Sequence, residues 1–516
     1  MWGYDGGYLG PTLEAVAGRP DHVEVVNRLG AHPLARAVDV TMGGATDRDR
    51  TDPRMTMHLH GGRTEPNSDG HPMVAWRNGG RQSNHYRHDQ AAAGLWYHDH
   101  AMGITRLNVL AGLAGQFLLR DHYDTGGADN PLGLPSGDRE IPLTVQDVFI
   151  NSDGSLQARM AQVLPEGFGQ MGLMGDVALV NGKAWPRLGV ERALYRFRVL
   201  IAANTRTYEF GFSNGMAFHV IGTDQGLLDA PVRTSSVIGG PGERFDVLVD
   251  FSKLPAGSSL TLVNTAKNSI GNNLLLVPDL PEIMRFDVRA ASRPSARLPA
   301  RLSGAPGLPA ALPPLAEPER VRTMTLTYDV DFTRLQSLIP LMMSINNLTF
   351  MSDDVDVARC GTVERWDIAN ITDFEHPIHL HLATFRVLER RTLRAFEYVA
   401  ANPIPPMGTR WAPPPGRFTG PPEPAPAWEQ GWKDTANCPA QTVTSFLVYW
   451  PSIEELGFDP DEPVRTPDGA EHTMTHGHGS ATAMPATGHE LRGYVWHCHN
   501  LEHEDHDMMQ RIRARA

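Results

Sequence analysis

The sequence predicts an all-β chain built as three tandem β-sandwiches, and three observations carry that prediction. Its 516 residues suit about three domains of roughly 150 residues, each long enough to bury a core. Its 50 glycines and 41 prolines favour many turns and short strands over long helices. A β-rich run closing on asparagine occurs three times, ending at Asn27, Asn204 and Asn370, so the repeat of roughly 170 residues matches that domain size.

In chain order, the strand candidates are His22-Val23-Glu24-Val25-Val26-Asn27, Gln116-Phe117-Leu118-Leu119, Tyr195-Arg196-Phe197-Arg198-Val199-Leu200, Phe245-Asp246-Val247-Leu248-Val249-Asp250-Phe251 and Val363-Glu364-Arg365-Trp366-Asp367-Ile368-Ala369-Asn370. Alternating or continuous β-branched runs of this length, bounded by Gly and Pro, read as sandwich strands. Order signals lapse over residues 121–138, rich in Gly, Asp and Pro, and over residues 290–317, rich in Pro, Ala and Arg with no periodicity. The second stretch reads as a linker, because its composition offers no packed face. The expected division is therefore 1–124, 125–290, a connector at 291–320, and 321–516. A Pro-rich stretch at 403–426 reads equally as a functional rim or as a solvated loop.

Composition excludes several functions. No apolar run approaches the ~20 residues of a membrane span. Three cysteines form neither a disulfide framework nor an all-cysteine metal cluster. A net charge of −13 argues against nucleic acid, whose binding rests on basic surface.

The informative excess is histidine. Among 22 histidines are five His-x-His pairs: His58/His60, His98/His100, His379/His381, His476/His478 and His497/His499. On a strand, residues i and i+2 share a face, so each pair presents two imidazoles side by side. A single pair is more often a surface feature or part of a zinc site, but four pairs offer enough imidazoles for three metal ions. The same parity separates a second site. Cys498 faces away from His497 and His499, and His376 faces away from His379 and His381. His503 and Met508, after a turn of the chain, complete a set of two His, one thiolate and a weak axial Met, which is the ligand set of a blue electron-transfer copper.

These motifs resemble the three-domain multicopper oxidases, in particular the bacterial spore-coat laccase type, with phenoxazinone synthase and bilirubin oxidase as near relatives. The matching segments are His58-Leu59-His60-Gly61-Gly62, Trp96-Tyr97-His98-Asp99-His100-Ala101-Met102, His376-Pro377-Ile378-His379-Leu380-His381 and Tyr494-Val495-Trp496-His497-Cys498-His499. Val180-Asn181-Gly182-Lys183-Ala184-Trp185-Pro186, Asn204-Thr205-Arg206-Thr207-Tyr208 and Gly431-Trp432-Lys433-Asp434-Thr435 match outside the metal motifs.

The resemblance implies cupredoxin-like Greek-key sandwiches and four copper ions. It implies a type 2 copper on His58 and His379, and a type 3 pair on His60, His98 and His499 and on His100, His381 and His497. The type 1 copper would take His376, Cys498, His503 and Met508, and the middle domain would carry no ligands. The implied activity couples one-electron oxidation of phenols or aromatic amines to four-electron reduction of dioxygen to water, with Glu504 and Asp69 delivering protons. Two rivals remain open: a metallo-oxidase of Cu(I) or Mn(II), favoured if the loop at 471–490 with His472, Met474, His476, His478, Met484 and His489 binds metal, and a copper-binding protein with little turnover.

Family members carry a longer N-terminal segment than the one ahead of Trp2-Gly3-Tyr4-Asp5-Gly6, and it includes an opening strand. The resemblance thus implies a first sandwich short of a strand or an incomplete start. As written, the chain carries no export signal, which places it in the cytoplasm or with the spore, or outside the cell if the start is incomplete. Cys360 and Cys438 are expected as free buried thiols.

Overall fold

A computed structural model describes residues 1–158, 172–274, 276–314, 316–329, 342–472 and 491–516. Its sheets fall in three consecutive stretches of chain and build three β-sandwiches. In the first, a four-stranded sheet runs in the order Leu13–Val16, Ala114–Arg120, Ala93–Asp99, Met57–His60, beside a ribbon of Asp21–Val26 and Arg81–Tyr86. The ribbon strand Arg81–Tyr86 alternates buried and open residues, as a half-buried strand must. The middle sandwich pairs an eight-stranded sheet with a five-stranded one, and Phe197, Phe210, Phe212, Phe218, Phe251 and Phe286 fill the space between. The third pairs a six-stranded sheet, centred on Thr362–Asn370 and Thr442–Trp450, with a five-stranded sheet whose inner strands include Tyr494–Cys498 and His376–Leu380. First and third units also share a ribbon, where Ala470–His472 pairs antiparallel with Val74–Trp76. Among the described residues, no helix is long and apolar enough to cross a membrane.

The asparagines that end the repeated runs have a common job. Each is buried, and each donates its side-chain amide to backbone carbonyls of neighbouring segments: Asn27 to Pro53 and Trp76, Asn204 to Arg106, Asn370 to Phe374, Cys438 and Pro439. A loop carbonyl buried where a strand ends needs a donor, and asparagine supplies two N–H groups from a short side chain.

Three expectations need correction. The connector at 291–320 has no strand before Arg320 among its described residues, yet it is packed. Leu302 is fully buried against Leu132, Leu134, Leu194, Ile221 and Leu248, and its amide donates to the Asp229 carbonyl at 2.8 Å. Isolated leucines can fill a hollow without any periodicity, which is why the pattern alone misses them. The cysteines are free, as expected, but only Cys438 and Cys498 are buried, and Cys360 is half-buried. Within 403–426, Trp411 is buried and packs on Tyr398, so part of that stretch is core.

The run Tyr195-Arg196-Phe197-Arg198 hides a charged layer. Arg196 and Arg198 are buried on the sheet face opposite the phenylalanines and share Asp124, with Nη2 to Oδ2 distances of 2.7 Å from each. Asp246 and Glu140 complete the pairing, and Arg120 joins Glu140 at 2.8 Å. Burial alone would raise the Asp124 carboxyl, but the Arg196 and Arg198 guanidiniums outweigh it and hold it well below the ordinary carboxylate range. Asp124→Ala leaves two buried guanidiniums short of a counter-charge and should cost about 3–5 kcal/mol in denaturant unfolding. Because its pKa is depressed on folding, this contribution is present above about pH 4 in the wild type and is lost as the pH falls; a variant whose acid unfolding matches wild type would contradict this account.

Candidate metal centre

Strand register assembles the histidines. Strands β1 (Met57–His60) and β2 (Ala93–Asp99) pair with His58 opposite His98. Strands β3 (His376–Leu380) and β4 (Tyr494–Cys498) pair with His379 opposite His497 and Ile378 opposite Cys498. Directly opposed residues share a face, so His379 and His497 lie on one side of this sheet while Cys498 and His376 lie on the other.

On the first side, eight buried imidazoles from the two outer sandwiches meet. Their donor atoms cluster within 4.8 Å in the sets His58, His60 and His379; His60, His98 and His499; and His100, His381 and His497. His58 stacks on His381 with centroids 3.9 Å apart, and His60 on His379 at 3.6 Å.

The hydrogen bonds show what the inward nitrogens are for. His58, His98 and His379 donate from Nδ1 to the carbonyls of Asp69, Asp99 and Asp434 at 2.6, 2.8 and 2.9 Å. Each of the three leaves a buried Nε2 lone pair without a partner among the described residues. His60 is turned the other way: Nε2 donates to Asp434 Oδ1 at 3.0 Å and the buried Nδ1 is unpartnered. Nε2 of His497 lies 3.3 Å from that of His100 and 3.4 Å from that of His381, and both nitrogens of His499 lack partners among the described residues. Burial holds these rings neutral, pushing His98 and His100 down to about 3 and His497 to about 4. Neutral imidazoles, most of them with the outer nitrogen fixed and a bare lone pair turned inward, fit metal cations.

On the second side, His376 Nδ1 and His503 Nδ1 lie 3.4 and 3.7 Å from Cys498 Sγ and 3.0 Å from each other. His376 Nε2 is held by the Thr372 hydroxyl at 2.7 Å, and the Asn500 amide N–H points at Cys498 Sγ from 3.4 Å. His503 rides on helix α1 (Leu501–Asp505), which Asn500 caps by accepting from the Glu502 and His503 amides. Met508 is fully buried in the same apolar cluster as Cys498, its amide donating to the His503 carbonyl at 2.9 Å. Burial pushes the Cys498 thiol well above its ordinary range, so a cation is needed to make it a thiolate, and two nitrogens with one soft sulfur suit copper.

Both carboxylates singled out in the sequence are buried among these rings. Asp69 Oδ2 accepts from His381 Nδ1 at 2.7 Å while Oδ1 accepts from the Thr64 hydroxyl. Glu504 spans two rings, with Oε1 3.2 Å from His100 Nδ1 and Oε2 3.1 Å from His497 Nδ1. Burial pushes Glu504 up to about 7, with His100 pulling back and Glu502 adding to the rise. Of the five pairs, His476/His478 lies outside the described residues, as does the loop from 473 to 490.

Sequence reading missed the group that holds His60. Asp434 is clamped by Arg244 of the middle sandwich through two 2.6 Å contacts, and Gln225 donates to it at 2.5 Å. Although burial would raise it, Arg244 keeps Asp434 well below the usual carboxylate range. Gly61 is required here: its φ is +85°, and a Cβ would lie 2.6 Å from Asp434 Oδ2. Asp434 stands in a segment that matched the family, but no local signal marks Arg244.

Two family models described as multicopper oxidase match residues 48–124 and 316–451. The laccase of Bacillus subtilis is 33% identical over 99% of this chain and 89% of its own. That of Bacillus stratosphericus is 36% identical over 99% and 90%. The structure of the multicopper oxidase McoA from Aquifex aeolicus is similar with a TM-score of 0.68 at 26% identity, covering 98% of this chain and 89% of that one.

Asp434→Ala removes the charged acceptor of His60, leaving only the Thr435 hydroxyl at 2.9 Å, and takes from Arg244 its bidentate partner. Loss of such a supporting partner should weaken metal binding by about 10–100-fold, read as metal retained against a competing chelator. Wild-type retention would mean that Asp434 does not position the ring.

Proposed function

The chain belongs to the multicopper oxidases, and from that premise we propose that it oxidises phenols or aromatic amines one electron at a time and reduces dioxygen to water between its first and third sandwiches. Family membership makes it a laccase-like, copper-dependent oxidoreductase with four copper ions, one type 1, one type 2 and two type 3. We assign the type 2 ion to His58 and His379, the type 3 pair to His60, His98 and His499 and to His100, His381 and His497, and the type 1 ion to His376, Cys498, His503 and Met508. When bound, the coppers take up single electrons from the reductant and deliver four to dioxygen.

The observation that carries this reading is the sorting of buried donors by strand parity into three imidazole sets and one His-Cys-His set. The tripeptide His497-Cys498-His499 is the covalent link between them. Dioxygen reduction also consumes protons, and a buried site must be given them. Glu504, poised between His100 and His497, can hold a proton at its carboxylate near neutral pH and release it. Asp69 keeps the His381 tautomer by accepting at Nδ1.

We also propose that residues 1–124 and 321–516 supply the donors, that 291–320 is the connector, and that 125–290 serves as a brace. Asn204 and Thr205 of the brace donate to the two oxygens of Glu502 at 2.8 and 2.7 Å, fixing helix α1 and with it His503.

Oxidation of Cu(I) or Mn(II) rests on the loop at 471–490 and is separated by a reductant panel of phenols, aminophenols, bilirubin, Cu(I) and Mn(II). Dioxygen uptake coupled to dye oxidation separates both from a copper carrier. Copper-loaded protein should be intensely blue, and Cys498→Ser should abolish the colour while leaving the type 3 pair loadable; a copper-replete wild type with no blue band refutes the type 1 assignment. Glu504→Gln should slow dioxygen reduction by about 10²-fold with reduction of the type 1 copper intact, as followed by stopped-flow bleaching and reoxidation. Unchanged reoxidation would remove Glu504 from proton delivery.

A further inference from the structure

A cavity of about 500 Å³ opens where the sandwiches meet, away from His376, Cys498 and His503. Arg63 and Gln90 come from the first unit, Gln225 from the middle one, Pro313 and Pro314 from the connector, and Trp432 and Tyr449 from the third. The volume is that of a small-molecule site, and such sites favour domain junctions.

Its polar groups are unequally engaged. The Gln90 amide donates to the Gly61 carbonyl at 2.9 Å and its oxygen accepts from the Arg63 backbone at 2.7 Å. The Gln225 amide donates to Gly61 and to Asp434. Glu455, also in the wall, accepts from the Tyr449 hydroxyl at 2.5 Å and from the Ser452 amide at 2.8 Å. The Arg63 side chain, by contrast, forms none of the ion pairs or hydrogen bonds found among the described residues, and its Nε is shut off from water without a partner. The Glu455 carboxylate in the wall attracts this guanidinium without hydrogen-bonding to it, so the buried Nε is left incomplete, and burying such a donor unpaired is costly. Trp432 and Tyr449, with ring centroids 6.2 Å apart, and the two prolines supply flat apolar walls beside it.

We propose that this cavity binds a planar aromatic carboxylate of the benzoate class, its carboxylate on Arg63 and its ring against Trp432, Tyr449 and the connector prolines. Guanidinium matches a carboxylate through parallel N–H donors, and a flat ring gains from aromatic and proline faces that a small aliphatic anion cannot use. The site uses none of the proposed copper ligands, so it stands independently of the activity assigned above. It does adjoin them: Gln225 contacts both the cavity and Asp434, the partner of His60.

Benzoate, which is not a laccase-type reductant, is the probe, titrated calorimetrically into copper-loaded protein alongside benzamide and acetate. Benzoate should bind more tightly than either, since benzamide lacks the charge and acetate the ring. Arg63→Gln should weaken benzoate by about tenfold or more while the blue absorbance persists. Ala91 is exposed at the cavity wall, so Ala91→Phe should fill the space from outside the core and also weaken benzoate. Benzoate binding unchanged by both substitutions overturns the proposal, and that result also covers benzoate held on copper itself. Acetate binding as tightly as benzoate overturns the aromatic part and leaves only an anion site.

Discussion

A β-strand turns each successive side chain to the opposite face, and the metal centre depends on that rule at one pair of strands. Across β3 and β4, His379 opposes His497 and Ile378 opposes Cys498. A slip of one residue would bring a sulfur among the imidazoles and send imidazoles into the apolar cluster that surrounds Cys498. The register is therefore protected from both sides. Trp496, Tyr494 and Met508 pack into the core on the cysteine side, while on the histidine side the outer ring nitrogens are tied to backbone carbonyls.

Holding eight imidazoles in a dry space has an electrostatic consequence. Each ring stays neutral because burial disfavours its cation, so the cluster contributes no charge of its own and waits for cations from outside. Carboxyl groups are placed behind the rings, on Asp69, Asp434 and Glu504. Of these, Asp434 is kept ionised by Arg244, whereas burial raises the other two. The middle sandwich, which contributes no donor to these sets among the described residues, thereby sets the electrostatics of a site that it borders only through the backbone at Gly242, packed against His499 and His60. Lys433, buried against Asp224 at 3.0 Å and Glu243 at 3.2 Å, ties the same two sandwiches together beside it.

Much of this was legible in the sequence because the relevant signals are short-range. A His-x-His pair declares its own geometry on a strand, and Cys498 between two histidines already separates two sites. The run ending at Asn27, Asn204 or Asn370 is visible for the same reason. What escaped lies in contacts between distant segments. Arg244 and Asp434 are 190 positions apart, and Arg196 and Arg198 look like the solvent face of a strand until the second layer of Asp124, Glu140 and Asp246 is seen. Leu302 fills a hollow that no period announces. Arg63 carries no motif at all, and only the empty space around it distinguishes it from any other arginine.

The pairing of first and last sandwiches bears on the order in which the protein can mature. Three of the four donor sets or pairs need a residue from 497 to 503, and the remaining one, His58 with His379, joins the first and third sandwiches. Strand Met509–Arg515 then covers β4 along its length. A nascent chain still on the ribosome, with its final strands undelivered, thus lacks members of three of the four sets, and the strand that fixes the register of His379 is missing as well. The full set of four coppers can consequently be held only once synthesis is complete, which makes the supply of copper after translation a condition for the chain to become an oxidase.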